Sequence, residues 1–137
     1  MKKSIILVLL VTMLFGVVGC GDKKNVITCT RDNDTQKEVI EITLDKESIP
    51  SIIKMTITNE VSNEENAKAL ADLSKNIYAS LQIDYEYSIA DGKMTSILTV
   101  DVSKVSASLF ETMFKEIKGT QTKKEIEESF EDQGYKC

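Results

Sequence analysis

Apolar residues recur along this chain with two periods, and each period predicts an element. Val26 to Thr30 reads as a first strand, running into the turn-rich Asp32-Asn33-Asp34-Thr35. Between Glu38 and Leu44, Ile40, Ile42 and Leu44 alternate with Glu41 and Thr43, and beyond Pro50, Ile53, Met55 and Ile57 alternate with Lys54, Thr56 and Thr58. Strict alternation places one face of each strand against a core and the other against solvent. Ile83 to Ala90 and Lys93 to Val102 are two further strands, joined by Asp91-Gly92, a favoured pair for a type I′ turn.

The second period is helical. Ala67, Leu70, Ala71, Ser74, Ile77, Tyr78 and Leu81 recur at that spacing and predict one face to lie on a sheet. Phe110, Met113, Phe114 and Ile117 before Gly119 predict a second helix, and Ile126 and Phe130 before Gly134 a third, with both glycines suited to the C′ position. Ser62-x-x-Glu65, Ser108-x-x-Glu111 and Thr122-x-x-Glu125 each have the form of a capping box that would start these helices. Three strands, a helix, a hairpin and two closing helices predict an α+β domain: an antiparallel sheet of about five strands with three helices packed against it.

Residues 1–25 follow neither period. Lys2 and Lys3 precede Ile5 to Val18, a run broken only by Thr12 and Gly16, which then meets Gly19-Cys20-Gly21-Asp22-Lys23-Lys24. The run is shorter than the ~20 apolar residues a spanning helix needs and has the layout of an export signal. Val17-Val18-Gly19-Cys20 is similar to the lipobox of bacterial lipoproteins, a match that implies a diacylglycerol thioether on Cys20 and cleavage between Gly19 and Cys20. The organisation expected is a signal peptide at 1–19, a lipidated tether at 20–25 and one domain at 26–137. The competing reading of Cys20 is a buried cysteine in an uncleaved transmembrane anchor.

Composition sharpens this picture. The 137 residues suit one domain, and 42% hydrophobic with 28% charged residues is ordinary for a packed core. His and Trp are absent, which removes the commonest neutral-pH base and metal ligand. The formal net charge is −5; without Lys2 and Lys3 the remaining chain has 15 basic and 22 acidic residues, net −7. Such a domain is repelled by phosphate backbones and anionic headgroups, so nucleic acid is not an expected partner and membrane contact is expected through the lipid on Cys20.

Setting Cys20 aside leaves Cys29 and Cys137, an even pair in an exported domain, for which a disulfide is the simple reading and two free thiols the alternative. In the chain-entropy view a bond closing so long a loop stabilises by about 4–5 kcal/mol.

Beyond the lipobox, Ala67-Lys68-x-Leu70-x-x-Leu73-Ser74, Tyr78, Leu98-Thr99-Val100-Asp101-x-x-Lys104-Val105 and Gly134-Tyr135 together resemble the YehR-like family of bacterial lipoproteins. The resemblance spans the lipobox and most of the following chain. It implies the architecture and the lipid anchor, and these fold-maintaining positions bring with them no catalytic residue.

Candidate chemistry is sparse. Asp32-Asn33-Asp34 has part of a calcium loop but lacks the Gly and bidentate Glu at the required spacing, and reads as a turn. Glu125, Glu127, Glu128, Glu131 and Asp132 read as a solvated helix face before a cation site. Ser51-x-x-Lys54 has the letters of a serine-lysine motif but falls in a strand pattern, where that motif needs a helix. The expected function is a non-enzymatic, membrane-anchored module that binds an envelope protein or component outside the cytoplasmic membrane, with no metal, cofactor or catalytic residue. The alternative is a carrier of a small or apolar ligand in a pocket between the first helix and the sheet, lined by Tyr78, Tyr85 and Tyr87.

Overall fold

A computed structural model describes residues 25–115, 117 and 121–137. The described elements are β1 (Val26–Asp32), β2 (Gln36–Leu44), β3 (Pro50–Glu60), α1 (Glu64–Ser80), β4 (Asp84–Ala90), β5 (Lys93–Asp101), α2 (Ala107–Met113) and α3 (Lys123–Glu131). The strands form one antiparallel sheet in the order β1-β2-β3-β5-β4, so the predicted α+β class, strand number and helix number are borne out.

The turns follow from residue type. Asn33 accepts from the backbone N–H groups of Thr35 and Gln36 through Oδ1, closing the β1–β2 turn as an Asx motif. Asp45 does the same for Glu47 and Ile49 between β2 and β3, where Ser48 takes the left-handed conformation. Asp91 (φ 54°) and Gly92 (φ 71°) both have positive φ, as the type I′ turn between β4 and β5 requires.

The two sheet faces differ in kind. Pairing and alternation put Ile27, Cys29, Ile40, Ile42, Ile53, Leu98, Val100 and Tyr85 on one face, where they form the core with Ala71, Phe114, Ile117, Ile126, Phe130 and Tyr135 from the helical side. Every strand threonine, from Thr28, Thr30 and Thr43 to Thr56, Thr58, Thr95 and Thr99, falls on the other face with Val39, Ile52 and Ile97. β-Branched side chains with a hydroxyl suit a pleated surface, and all of these threonines but the buried Thr56 are at least partly exposed.

Two of the three expected caps are displaced. Asn63, not Ser62, caps α1 by accepting from Asn66 N–H, and Ser106, not Ser108, caps α2 by accepting from Leu109 N–H. In each case a nearer oxygen-bearing side chain already has the extended backbone that a cap needs. Thr122 and Glu125 do form the reciprocal capping box of α3. α2 also stops at Met113, with Phe114 as its cap residue, so Ile117 joins the core from outside the helix; Gly119 lies outside the described residues. Gly134 (φ 89°) carries the chain reversal two residues after the α3 cap, Asp132.

Candidate functional site

The largest departure from the sequence pattern lies on α1. Its expected sheet-facing set divides in two. Ala71 is buried and Ala67, Ser74 and Tyr78 are half-buried, whereas Leu70 (65% exposed), Leu73 (56%), Ile77 (50%) and Leu81 (37%) face outward. The small residues let the helix sit close over β4, and that close seat turns the larger residues about a quarter-turn away from the sheet. Exposed apolar residues are ordinary singly; here four lie in a row along one helix flank.

Charge is segregated on the same helix. At about 100° per residue, Glu64, Glu65, Lys68, Asp72 and Lys75 fall within a sector of about 100°, and the flank that holds Leu70, Leu73 and Ile77 has only Asn66, Ala69, Asn76 and Ser80 beside it. The charged flank is fastened to the edge strand. Tyr87 donates its phenol to Asp72 Oδ1 at 2.5 Å, and Lys68 Nζ pairs with Asp72 Oδ2 at 3.0 Å. The Tyr87 hydrogen bond, then Lys68, hold the Asp72 carboxyl below its ordinary range, and the same bond to Asp72 raises the Tyr87 phenol.

Tyr78, Tyr85 and Tyr87 are brought together, but onto one another. Tyr78 stacks on Tyr85 with ring centroids 5.3 Å apart, Tyr85 lies 6.2 Å from Tyr87, and the Tyr85 hydroxyl is 3.1 Å from Ser96 Oγ. The interlayer position expected of a ligand-lining trio is thus occupied by mutual packing.

A second cluster surrounds the buried Glu38. Its carboxylate accepts from Arg31 Nη2 at 2.8 Å, from Gln36 Nε2 at 2.5 Å and from the Tyr135 phenol, while the Arg31 guanidinium lies 4.4 Å above the Tyr135 ring. Beside it, Thr30 and Lys136 exchange both backbone hydrogen bonds, and the sulfurs of Cys29 and Cys137 are 1.96 Å apart, at disulfide distance. Cys29 is buried in the core and Cys137 is exposed. With every described partner of Glu38 in place, the arrangement reads as a clasp for the segment after α3. A Tyr at 135 and a Glu at 38 had no sequence signal linking them.

A cleft of about 890 Å³ is lined from β3, β5, β4 and the second half of α1, where Lys54, Lys75 and Lys104 mix with Asp84, Glu86 and Asp101. The mixture of both signs gives no net field for a charged ligand. A second, about 630 Å³, lies beside α2 and is lined by Val102, Val105, Phe110 and Phe114.

The remaining candidates resolve to structure. Asp32-Asn33-Asp34 is the Asx turn, and no cluster of three or more metal-ligating side chains occurs among the described residues. In the acidic run, Glu125 belongs to the capping box, which holds its carboxyl below the ordinary range, and Glu127 and Glu128 lie within 3.9 and 3.6 Å of Lys123 and Lys124. Ser51 donates to the Thr43 carbonyl and, three residues away in the same strand, faces opposite to Lys54. Gly19 and Cys20, the expected cleavage and lipidation positions, lie outside the described residues. Among the described residues no helix is long and apolar enough to cross a membrane. Compared with known proteins, the chain matches no family model, no curated relative and no solved structure.

Proposed function

We propose that this chain is an extracytoplasmic lipoprotein of YehR-like type, held to the cell membrane by acylated Cys20, whose domain works without catalysis by binding a protein. The single observation that carries the binding role is the exposed seam Leu70, Leu73 and Ile77 on a helix whose charges are all gathered on another flank. Desolvating such a seam favours association at roughly 25 cal/mol per Å² of apolar surface, with no charge to strip of water. The anchor rests on the lysine pair, the 14-residue apolar run and the Gly19-Cys20 junction. The carrier reading has less support, because the tyrosines that would line its pocket are packed on one another.

The anchor is tested by the intact mass of the protein extracted from membranes. The expected mass is that of residues 20–137 plus a diacylglyceryl group, and Cys20→Ser, which has no thiol to acylate, should lack that added mass. A wild-type chain weighing the same as its translation product would overturn the reading. For the binding role, a photo-crosslinker in place of Leu73 should capture protein, and one in place of Lys68 should not; equal capture at both would count against the seam.

A further inference from the structure

The partner that the α1 seam fits best is a second copy of this chain. Leu70, Leu73 and Ile77, with Asn66 before and Ser80 after, keep a four-three spacing, the repeat that lets two helices interdigitate along a narrow stripe. The domain after residue 19 has net charge −7, which sets its own copies against one another at long range. The seam flank of α1 is exempt, since all five charged residues of the helix lie on other sectors. A charge-free, self-matching stripe is what a two-fold pair needs, because the same patch serves on both sides.

Topology fixes the direction of pairing. β1 begins at Val26, opposite Thr43, and that row of the sheet continues through Ile52 to Asp101; α1 ends beside it, with Ile83 N–H bonded to Tyr78 O just before β4 starts. Residues 20–25 span at most ~20 Å when extended. In each copy the tether and the C-terminal end of α1 therefore lie at the same end of the sheet. Two copies in one membrane share this polarity, so a two-fold axis along the membrane normal brings their helices together in parallel.

Resting on the anchored reading above, we infer that two membrane-tethered copies pair through α1 in parallel and in register, with Leu70, Leu73 and Ile77 each meeting its own counterpart. A seam of three apolar residues is smaller than the ~800 Å² per partner of a standard interface, so the pair is weak in free solution and populated where anchoring confines both copies to one surface.

The test is oxidative crosslinking of the full chain in its own membranes, with single cysteines in place of Leu70, Leu73, Ile77 and, as controls on the charged flank, Lys68 and Lys75. All are exposed, and an unchanged melting curve checks each variant's fold. Disulfide dimers at all three seam positions, at least tenfold above both controls, are the expected result. Equal yields at seam and control positions overturn the pairing. Crosslinking at one seam position alone indicates an antiparallel pair and overturns the parallel geometry, and adducts to a different protein assign the seam to that protein instead. Fractionation of the wild type is read alongside: a membrane-bound chain without seam-specific dimers refutes the pairing and leaves the anchor standing, whereas a wild-type chain outside the membrane fraction refutes the anchor and the pairing with it.

Discussion

The Tyr135 phenol donates to the Glu38 carboxylate across a sequence separation of 97 residues, and this bond pins the segment after α3 to the inner face of the sheet. Glu38 is buried, so each donor lost leaves part of a desolvated carboxylate uncompensated. Tyr135→Phe keeps the ring under Arg31 and removes only the hydroxyl; it should lower stability by about 1–3 kcal/mol in urea unfolding. An unchanged midpoint would mean that solvent reaches Glu38.

The Cys29 and Cys137 sulfurs reinforce the same clasp from the next residue pair along. Cys137→Ser touches little, since Cys137 is exposed, while opening a loop of sequence separation 108. Equilibrium unfolding should show a loss of about 2–5 kcal/mol, with faster amide exchange at Thr30 than in β3. The same loss on reduction of the wild type, and none on reduction of the variant, would identify the bond as its source.

Asp72 and Tyr87 join helix to edge strand through a bond whose two ends titrate in opposite directions. Asp72 is held below its ordinary pKa by the phenol and then by Lys68, so its contribution is present above the unfolded value and lost as pH falls through the lowered one. The raised Tyr87 contributes below its unfolded value and loses that contribution as pH climbs through the raised one. The contact therefore holds across the neutral range and opens at both extremes. In an NMR titration, Tyr87→Phe should move the Asp72 midpoint upward; a midpoint that stays put would assign the shift to Lys68 alone.

The division of α1 into a buried and an exposed row has a direct stability signature. Leu73→Glu should change unfolding free energy by no more than about 0.5 kcal/mol, and Ala71→Leu, at a position 2% exposed, should cost about 1–3 kcal/mol by overpacking against the sheet. Reversed magnitudes in thermal or urea unfolding would show the helix to be rotated from the orientation described.

Cap positions can be checked by single truncations. Asn63→Ala and Thr122→Ala should each cost about 1 kcal/mol, and Ser62→Ala and Ser108→Ala close to nothing, because neither serine holds the first-turn N–H groups. Circular dichroism melts of the four variants distinguish the two groups.

Local chemistry sufficed for much of this protein. Alternation at Ile40, Ile42 and Leu44, the Asp91-Gly92 turn and the Thr122-Glu125 box act within a few residues, so they are legible without knowing the neighbours. The lysine pair, apolar run and Gly19-Cys20 junction are local features too, and the anchor expected from them is an expectation about the linear chain alone. Periodicity also showed that α1 is amphipathic, but it could not say which apolar residues touch the sheet. Leu70 and Ala71 are adjacent members of one apolar set, and only the close seat of Ala67, Ala71 and Ser74 over β4 decides that the first is exposed and the second buried. Glu38 looked like any strand-end carboxylate until the fold brought Arg31, Gln36 and Tyr135 to it. Packing and charge burial depend on distance in space, which a chain sets only when its sheet closes; turns and caps depend on distance along it.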